Sequence, residues 1–215
     1  MAQRRQRKRY SYGNAGRDIA GHLGLVPGTR KRDLDDIPWP AWDLMPIGNY
    51  LDRGYGFGVN RGRSMPVLAS RGCPYQCTFC SNPAMWTTRW VARDPDLLLD
   101  ELQYYQEQYG AENFDFYDLT AIVPESWIVS FCQKIQERGM KFTWQLPSGT
   151  RSEAIDDEVA GWLYRSGCRN LSYSPESGSP NVLARIKKKI KPESVLESIS
   201  SSYRQGMSLK TNIML

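Results

Sequence analysis

The chain is poor in the residues that most often build metal frameworks and disulfide scaffolds. It has one histidine, His22, and five cysteines among 215 residues. Three of those cysteines are bunched together, a pattern unlike a disulfide framework. No apolar run reaches the length needed to cross a bilayer, and the arginine-rich start has no apolar stretch behind it of the kind that directs secretion. Neither a membrane span nor a secretory leader is therefore expected, and the cysteine usage points to a reducing, cytoplasmic setting.

What charge there is lies unevenly. The net charge is +5, yet Arg4, Arg5, Arg7, Lys8 and Arg9 crowd the first ten residues and Arg30, Lys31 and Arg32 form a second group. Gly13, Gly16, Gly21, Gly24 and Gly28 punctuate the same region without apolar periodicity, so residues 1–32 read as a flexible arm or linker. A basic arm can touch nucleic acid through phosphates, but a solvated terminus is the commoner outcome for this composition.

The chemistry concentrates between Arg71 and Ser81, where Cys73, Cys77 and Cys80 follow a C-x₃-C-x₂-C spacing. A short loop can turn all three sulfurs toward one point. Soft thiolates select zinc, copper(I) or iron–sulfur clusters, and the second cysteine pair or histidine pair of a closed zinc site is missing nearby. Three thiolates suit a [4Fe–4S] cube that keeps one iron open, because four cysteines would close it. The plainer alternatives are a zinc knuckle lacking its fourth ligand, or simply buried thiols. Cys132 and Cys168 stand singly among apolar neighbours and read as structural.

Around this loop the sequence alternates helical and strand signals. Met65–Ser70 is a short apolar strand entering the cysteine loop. Asp94 and Pro95 open a helix with Leu98, Leu102, Tyr105 and Tyr109 on one face, ended by Gly110. A strand over 113–117 follows, then a helix from Pro124 with Ile128, Phe131 and Ile135, and a strand over 141–146. Asp156 caps a helix through Val159, Trp162 and Leu163, followed by a strand over 170–173. A last helix carries Val195, Ile199 and Tyr203 before a strand from Ser208. Such alternation implies an α/β fold with a parallel sheet and right-handed crossovers, five strands in all. Gly54, Gly56 and Gly58 mark a glycine-rich loop or hairpin, since no strand precedes them as a nucleotide loop requires. Asp33–Leu44, with Pro38, Trp39, Pro40 and Trp42, reads as a packing strap over one end of the core. Polar residues Tyr117, Asp118, Ser148, Arg151, Glu176 and Ser177 would all sit at the carboxyl ends of strands, on the rim that carries the cysteines.

With Phe79 as the aromatic of C-x₃-C-x-aromatic-C, the loop resembles that of radical S-adenosylmethionine (SAM) enzymes. The Pro/Trp strap resembles the connector of the cobalamin-associated members, which include methyltransferase-like and methylthiotransferase-like proteins. The resemblance covers residues 33–215 and implies a partial parallel (β/α) barrel. It also implies a [4Fe–4S] cluster on Cys73, Cys77 and Cys80, with SAM chelated to the open iron and cleaved reductively to a 5′-deoxyadenosyl radical. Phe79 would lie against the cofactor, Tyr117 and Asp118 would occupy the second-strand motif at the methionyl end of SAM, Arg151 would pair with the SAM carboxylate, and Ser148, Glu176 and Ser177 would complete the pocket. A reductant such as flavodoxin or ferredoxin is implied as partner.

The same resemblance sets expectations that the sequence departs from. His22 does not satisfy Asp-x-His-x-x-Gly, so cobalamin would have to come from another chain or a domain not present here. A six-stranded partial barrel needs one more strand, which makes a truncated chain or fragment the expectation and leaves the last strand as an unpaired edge. The expected division is an arm over 1–32, a connector over 33–64 and a core over 65–215. Two rivals remain, an electron-transfer protein with four protein ligands and a zinc-binding RNA module. No residue is assigned to substrate chemistry.

Overall fold

A computed structural model describes residues 33–214 apart from 87, 119, 121–123 and 152–154, together with the backbone of 16–17 and 23–24. His22 and the basic groups at 4–9 and 30–32 lie outside the described residues. Within the arm, β1 (Gly16–Arg17) pairs antiparallel with β2 (Leu23–Gly24). A short turn of 3₁₀-helix at Trp42–Leu44 and helix α1 (Ile47–Asp52) follow. Next come β3 (Ser64–Val67), β4 (Ser70–Arg71), α2 (Asn82–Met85) and β5 (Val91–Ala92).

From there helix and strand alternate as the apolar spacing predicts. Helix α3 (Pro95–Tyr109) begins where the Asp94 side chain accepts the backbone N–H groups of Asp96 and Leu97, and it ends at Gly110. Strand β6 (Asn113–Phe116), helix α4 (Glu125–Glu137), strand β7 (Thr143–Thr150) and helix α5 (Asp157–Arg165) succeed it. The Asp156 side chain caps α5 through the Val159 N–H. Strand β8 (Cys168–Glu176), helices α6 (Pro180–Arg185) and α7 (Pro192–Arg204), and strand β9 (Ser208–Ile213) complete the chain.

Five strands form one parallel sheet in the order β3-β6-β7-β8-β9, which is also their order along the chain. Helix α3 packs on α4, α4 on α5 and α5 on α7. A sheet that never reverses its winding, with its helices side by side, is barrel-like rather than doubly wound. It is an open barrel: β3 and β9 are the two edges and do not pair with each other. The core lies between sheet and helices. Phe116, Phe131 and Trp144 meet there with centroids 5.3–5.7 Å apart, all fully buried, and each such side chain contributes roughly 1.5–3 kcal/mol by leaving water.

The opposite face of the sheet is polar, yet Asn113, Asp115, Gln145 and Asn170 on it are buried too. The glycine-rich segment covers them. Gln145 holds the backbone of Val59, and Arg61 Nε donates to Asn170 Oδ1 at 2.5 Å. A Cβ on Gly58 would fall 2.2 Å from Gln145 Nε2, so the segment's glycine is a packing requirement. The loop reading was right about conformation and missed the location.

Strand boundaries differ from expectation near the rim. The strand expected over 65–70 ends at Val67, and Ser70–Arg71 turns away to pair antiparallel with Val91–Ala92. Strands β7 and β8 run further than expected, to Thr150 and Glu176, because bulges after Leu146 and Tyr173 absorb residues without ending the ladders. Ser148 and Glu176 consequently belong to strands and not to loops. The strap is tied down as expected: Trp42 Nε1 donates to Tyr105 Oη at 3.0 Å, while Trp39 stays partly exposed against Tyr104.

Candidate metal and cofactor site

The β4/β5 ribbon closes the base of the cysteine loop. At the point where the loop departs, Gly72 has φ +84° and an added Cβ would lie 2.0 Å from Arg89 O, so only glycine lets the two arms approach. Beyond it, Asn82 Nδ2 donates to Cys73 O at 3.1 Å and the Asn82 N–H faces Cys80 Sγ at 3.4 Å, which joins both ends of the loop to α2. All three loop cysteines are free thiols, Cys73 and Cys77 half-buried and Cys80 exposed.

Burial raises the Cys73 pKa, the Arg151 guanidinium opposes that shift, and charge on Cys77 or Cys80 raises it further. The three sulfurs are therefore close enough to feel one another. They are not drawn in to ligand spacing: among the described residues no three His, Cys, Asp or Glu side chains form a metal-holding group. The donor chemistry fits an iron–sulfur cluster, since the loop offers three soft thiols.

The loop and its base are held from the carboxyl ends of β6 and β7 and from the C-terminal end of α6. After β6, the buried Asp118 accepts the Ala69 N–H at 3.1 Å and the Ser70 hydroxyl at 2.5 Å. Burial pushes its carboxyl up to about 6, and these hydrogen bonds only partly offset that. After β7, the Arg151 guanidinium stacks 3.3 Å over the Tyr75 ring and donates to Lys189 O. After β8, Ile186 O accepts the Thr78 N–H at 3.0 Å, and Lys188 Nζ lies 3.4 Å from Glu176 Oε1. Glu176 itself sits at φ +67°, a region most side chains avoid.

The expected site residues are thus partly assembled. Asp118 and Arg151 touch the loop or its base, and Glu176 pairs with Lys188, which lines a cavity together with loop residues Pro74, Tyr75 and Gln76. Tyr117 faces the glycine segment instead, its hydroxyl accepting the Phe57 N–H at 3.1 Å. Ser177 Oγ accepts the N–H of its neighbour Ser179, while Ser148 and Phe79 are exposed. Sequence reasoning passed over Tyr75, within the loop, and Asn82, directly after it, whose positions were the available signal. It also passed over Thr120 and Thr150, which bury hydroxyls that have no hydrogen-bond partner among the described residues.

The family follows from comparison with known proteins. The model of the Radical SAM superfamily matches residues 67–215, from the end of β3 onward. The chain belongs to the radical SAM superfamily. It is 28% identical over 203 residues to an uncharacterized methyltransferase of Pyrococcus horikoshii, covering 89% of this chain and 42% of that protein. It is 28% identical over 159 residues to the cytidylyl-2-hydroxyethylphosphonate methyltransferase of Streptomyces wedmorensis, covering 73% of this chain and 29% of that one. The chain therefore spans less than half the length of these relatives. Among solved structures, the cobalamin-dependent SAM radical enzyme OxsB, with aqua-cobalamin and SAM bound, superposes with a TM-score of 0.74 at 18% identity, over 92% of this chain and 28% of that one. The radical SAM methyltransferase TsrM of Kitasatospora setae, with cobalamin and a [4Fe–4S] cluster bound, gives a TM-score of 0.65 at 19% identity, over 86% and 34%. At those identities the structural likeness speaks to the fold. Among the described residues no helix is long and apolar enough to cross a membrane.

Proposed function

We propose that this radical SAM chain carries the cluster and SAM site of a cobalamin-associated enzyme, with Cys73, Cys77 and Cys80 holding a [4Fe–4S] cluster. The observation that carries the reading is the grip on one cysteine loop and its base from the ends of β6 and β7 through Asp118 and Arg151, and from the C-terminal end of α6 through Ile186. When bound, the cluster supplies the electron that cleaves the SAM sulfonium to a 5′-deoxyadenosyl radical. The chain's own part is placement. Asp118 pins the entry of the loop, Arg151 and Tyr75 brace its outer turn, and Glu176, in a left-handed backbone conformation and paired with Lys188, is assigned to the SAM side of the rim by its position at the end of β8. Tyr117, Ser148, Ser177 and Phe79 are assigned to the walls of the SAM pocket on position alone.

Methyl transfer is the reaction class we assign to the whole enzyme, supported by the methyltransferase names of the relatives. Cobalamin then comes from outside these residues, the core is 65–215, and 33–64 is the connector to a cobalamin-bearing part. Anaerobic reconstitution with iron and sulfide tests the assignment. The expected result is about four irons per chain and 5′-deoxyadenosine on reduction with SAM. A folded chain that stays colourless, or that takes up zinc with four protein ligands, overturns it.

A further inference from the structure

The strap over 33–44 does more than cover one end of the core, because it stands off from the rim and encloses a hollow of about 330 Å³ beside the end of β3. The walls are flat and apolar: Trp39 and Pro40 of the strap, Pro66 and Leu68 at the end of β3, and Tyr117 after β6. Trp39, Leu68 and Tyr117 are 40%, 44% and 37% exposed. Large apolar side chains left partly open around a space of that size are the ordinary makings of a small-molecule site.

The hollow is formed in advance. Trp42 Nε1 bonds Tyr105 Oη near one end of the strap, and near the other Asp35 accepts the Asp94 N–H at 2.8 Å and Arg93 Nε at 3.3 Å. Tyr117 is fixed in turn, since the Phe57 N–H donates to its hydroxyl and the Phe57 ring meets it edge-on, with centroids 5.8 Å apart. Walls already held in place lose little freedom when a ligand enters, which favours affinity.

Three charged side chains line the hollow, Arg71, Arg93 and Glu101. Arg93 is shared between Asp35 and Glu101, and Glu101 also accepts the Tyr105 hydroxyl, so these charges answer one another. Asp118, behind Ser70, is taken up by the Ala69 N–H and the Ser70 hydroxyl. Arg71 differs from all of them. Its guanidinium lies over the Trp86 ring, 4.8 Å from the centroid, and among the described residues no carboxylate or carbonyl receives its N–H groups. A guanidinium stacked on a ring keeps its in-plane donors available, and two parallel N–H groups match a carboxylate.

We propose that this hollow binds a small planar organic anion, its ring laid against Trp39, Pro66 and Tyr117 and its carboxylate on Arg71. The space admits a bicyclic ring system, and it is too small for a folded partner. None of Cys73, Cys77 and Cys80 lines it, so occupancy does not depend on a cluster being held.

The test titrates 2-naphthoate, with 2-naphthamide as its uncharged counterpart, into the iron-free 215-residue chain by calorimetry. Wild type is expected to bind the acid at least tenfold more tightly than the amide. Arg71→Gln should bring both to the same weak affinity, while Trp39→Ala should weaken both several-fold and keep the preference for the acid. Trp39 lies on the exposed side of the strap, so this second variant reads the hollow even where Arg71→Gln does not fold. Equal affinity of wild type for acid and amide overturns the proposal, as does an undiminished preference for the acid in Arg71→Gln or unchanged affinities in Trp39→Ala. Displacement of the naphthoate by an equal concentration of acetate overturns it too, because the ring would then contribute nothing. Failure of the chain to take up iron bears on the proposed function and leaves this titration standing.

Discussion

Gln145 and Val59 exchange two hydrogen bonds, the Val59 N–H donating to Oε1 at 3.0 Å and Nε2 donating to the Val59 carbonyl at 2.9 Å. A side-chain amide on β7 thereby acts as a strand partner for the glycine segment, and the same Nε2 also donates to Asp115 Oδ1 at 2.6 Å. Gln145 is thus one of the polar residues that hold the glycine segment over the inner face of the open barrel. Gln145→Leu fills a similar volume but removes every one of these bonds, and a buried polar group left without its partner costs about 1–3 kcal/mol. Urea unfolding should show a loss of that size. Gly58→Ala forces a Cβ against the same amide and should destabilise further; neither substitution should change the iron bound per folded chain. Unchanged stability in Gln145→Leu would show that residues 56–61 do not cover the sheet.

A pH dependence follows from Asp118. Its carboxyl, ordinarily near 3.8, is held at about 6 by complete burial. The folded chain then holds this proton more tightly than the unfolded chain does, so its contribution to stability is full below pH 4 and is lost as pH rises through 6. A shift of about two units corresponds to about 3 kcal/mol over that window. Burial raises the Asp115 pKa as well, but Asp115 is common to both proteins being compared. Asp118→Asn should therefore flatten the decline in stability between pH 4 and 7 relative to wild type. Identical slopes would mean that Asp118 is solvated or ion-paired.

Much of this arrangement was legible before the structure, and the reasons divide cleanly. Asp94, Pro95 and Gly110 bound α3 through local backbone chemistry, and Ile128, Phe131 and Ile135 mark the buried face of α4 through spacing alone. The cysteine spacing is equally local. What escaped was mostly detail decided by partners far along the chain. Gly58 looks like any loop glycine until Gln145, 87 residues later, needs its missing Cβ. Asp118 and Arg151 read as candidates for SAM, whereas their visible partners are Ser70 and Tyr75 within or beside the cysteine loop. The bulges that carry β7 to Thr150 and β8 to Glu176 leave no mark that short apolar runs could show.

Iron content separates the loop cysteines from the other two. Cys132 and Cys168 are buried, and burial pushes the Cys132 thiol up to about 12 and the Cys168 thiol higher still. A thiol so protonated is a poor ligand at neutral pH. Replacing Cys73, Cys77 or Cys80 by Ala should reduce reconstituted iron to under about a tenth of wild type, since each supplies one of three corners. The double variant Cys132→Ala/Cys168→Ala should keep its iron and lose about 1 kcal/mol per site, the scale of one small buried group. Loss of iron from the double variant would favour a four-ligand electron-transfer site.

Arg151 distinguishes bracing the loop from binding the cofactor. Its guanidinium is nearly buried, stacked on Tyr75 and bonded to Lys189 O, so one planar cation joins the cysteine loop to the segment after α6. Lysine keeps the charge but loses the flat face and the second donor. Arg151→Lys should cost about 1–2 kcal/mol, shorten the lifetime of the reconstituted cluster against a chelator several-fold, and weaken SAM binding only in proportion to cluster loss. If Arg151 instead pairs with the SAM carboxylate, SAM affinity falls at least tenfold while chelator resistance stays at the wild-type level. Tyr75→Leu separates the two roles again, because it removes the stacking surface and leaves the guanidinium in place: a bracing residue predicts the same chelator sensitivity in both variants, and a carboxylate-binding residue predicts none in Tyr75→Leu.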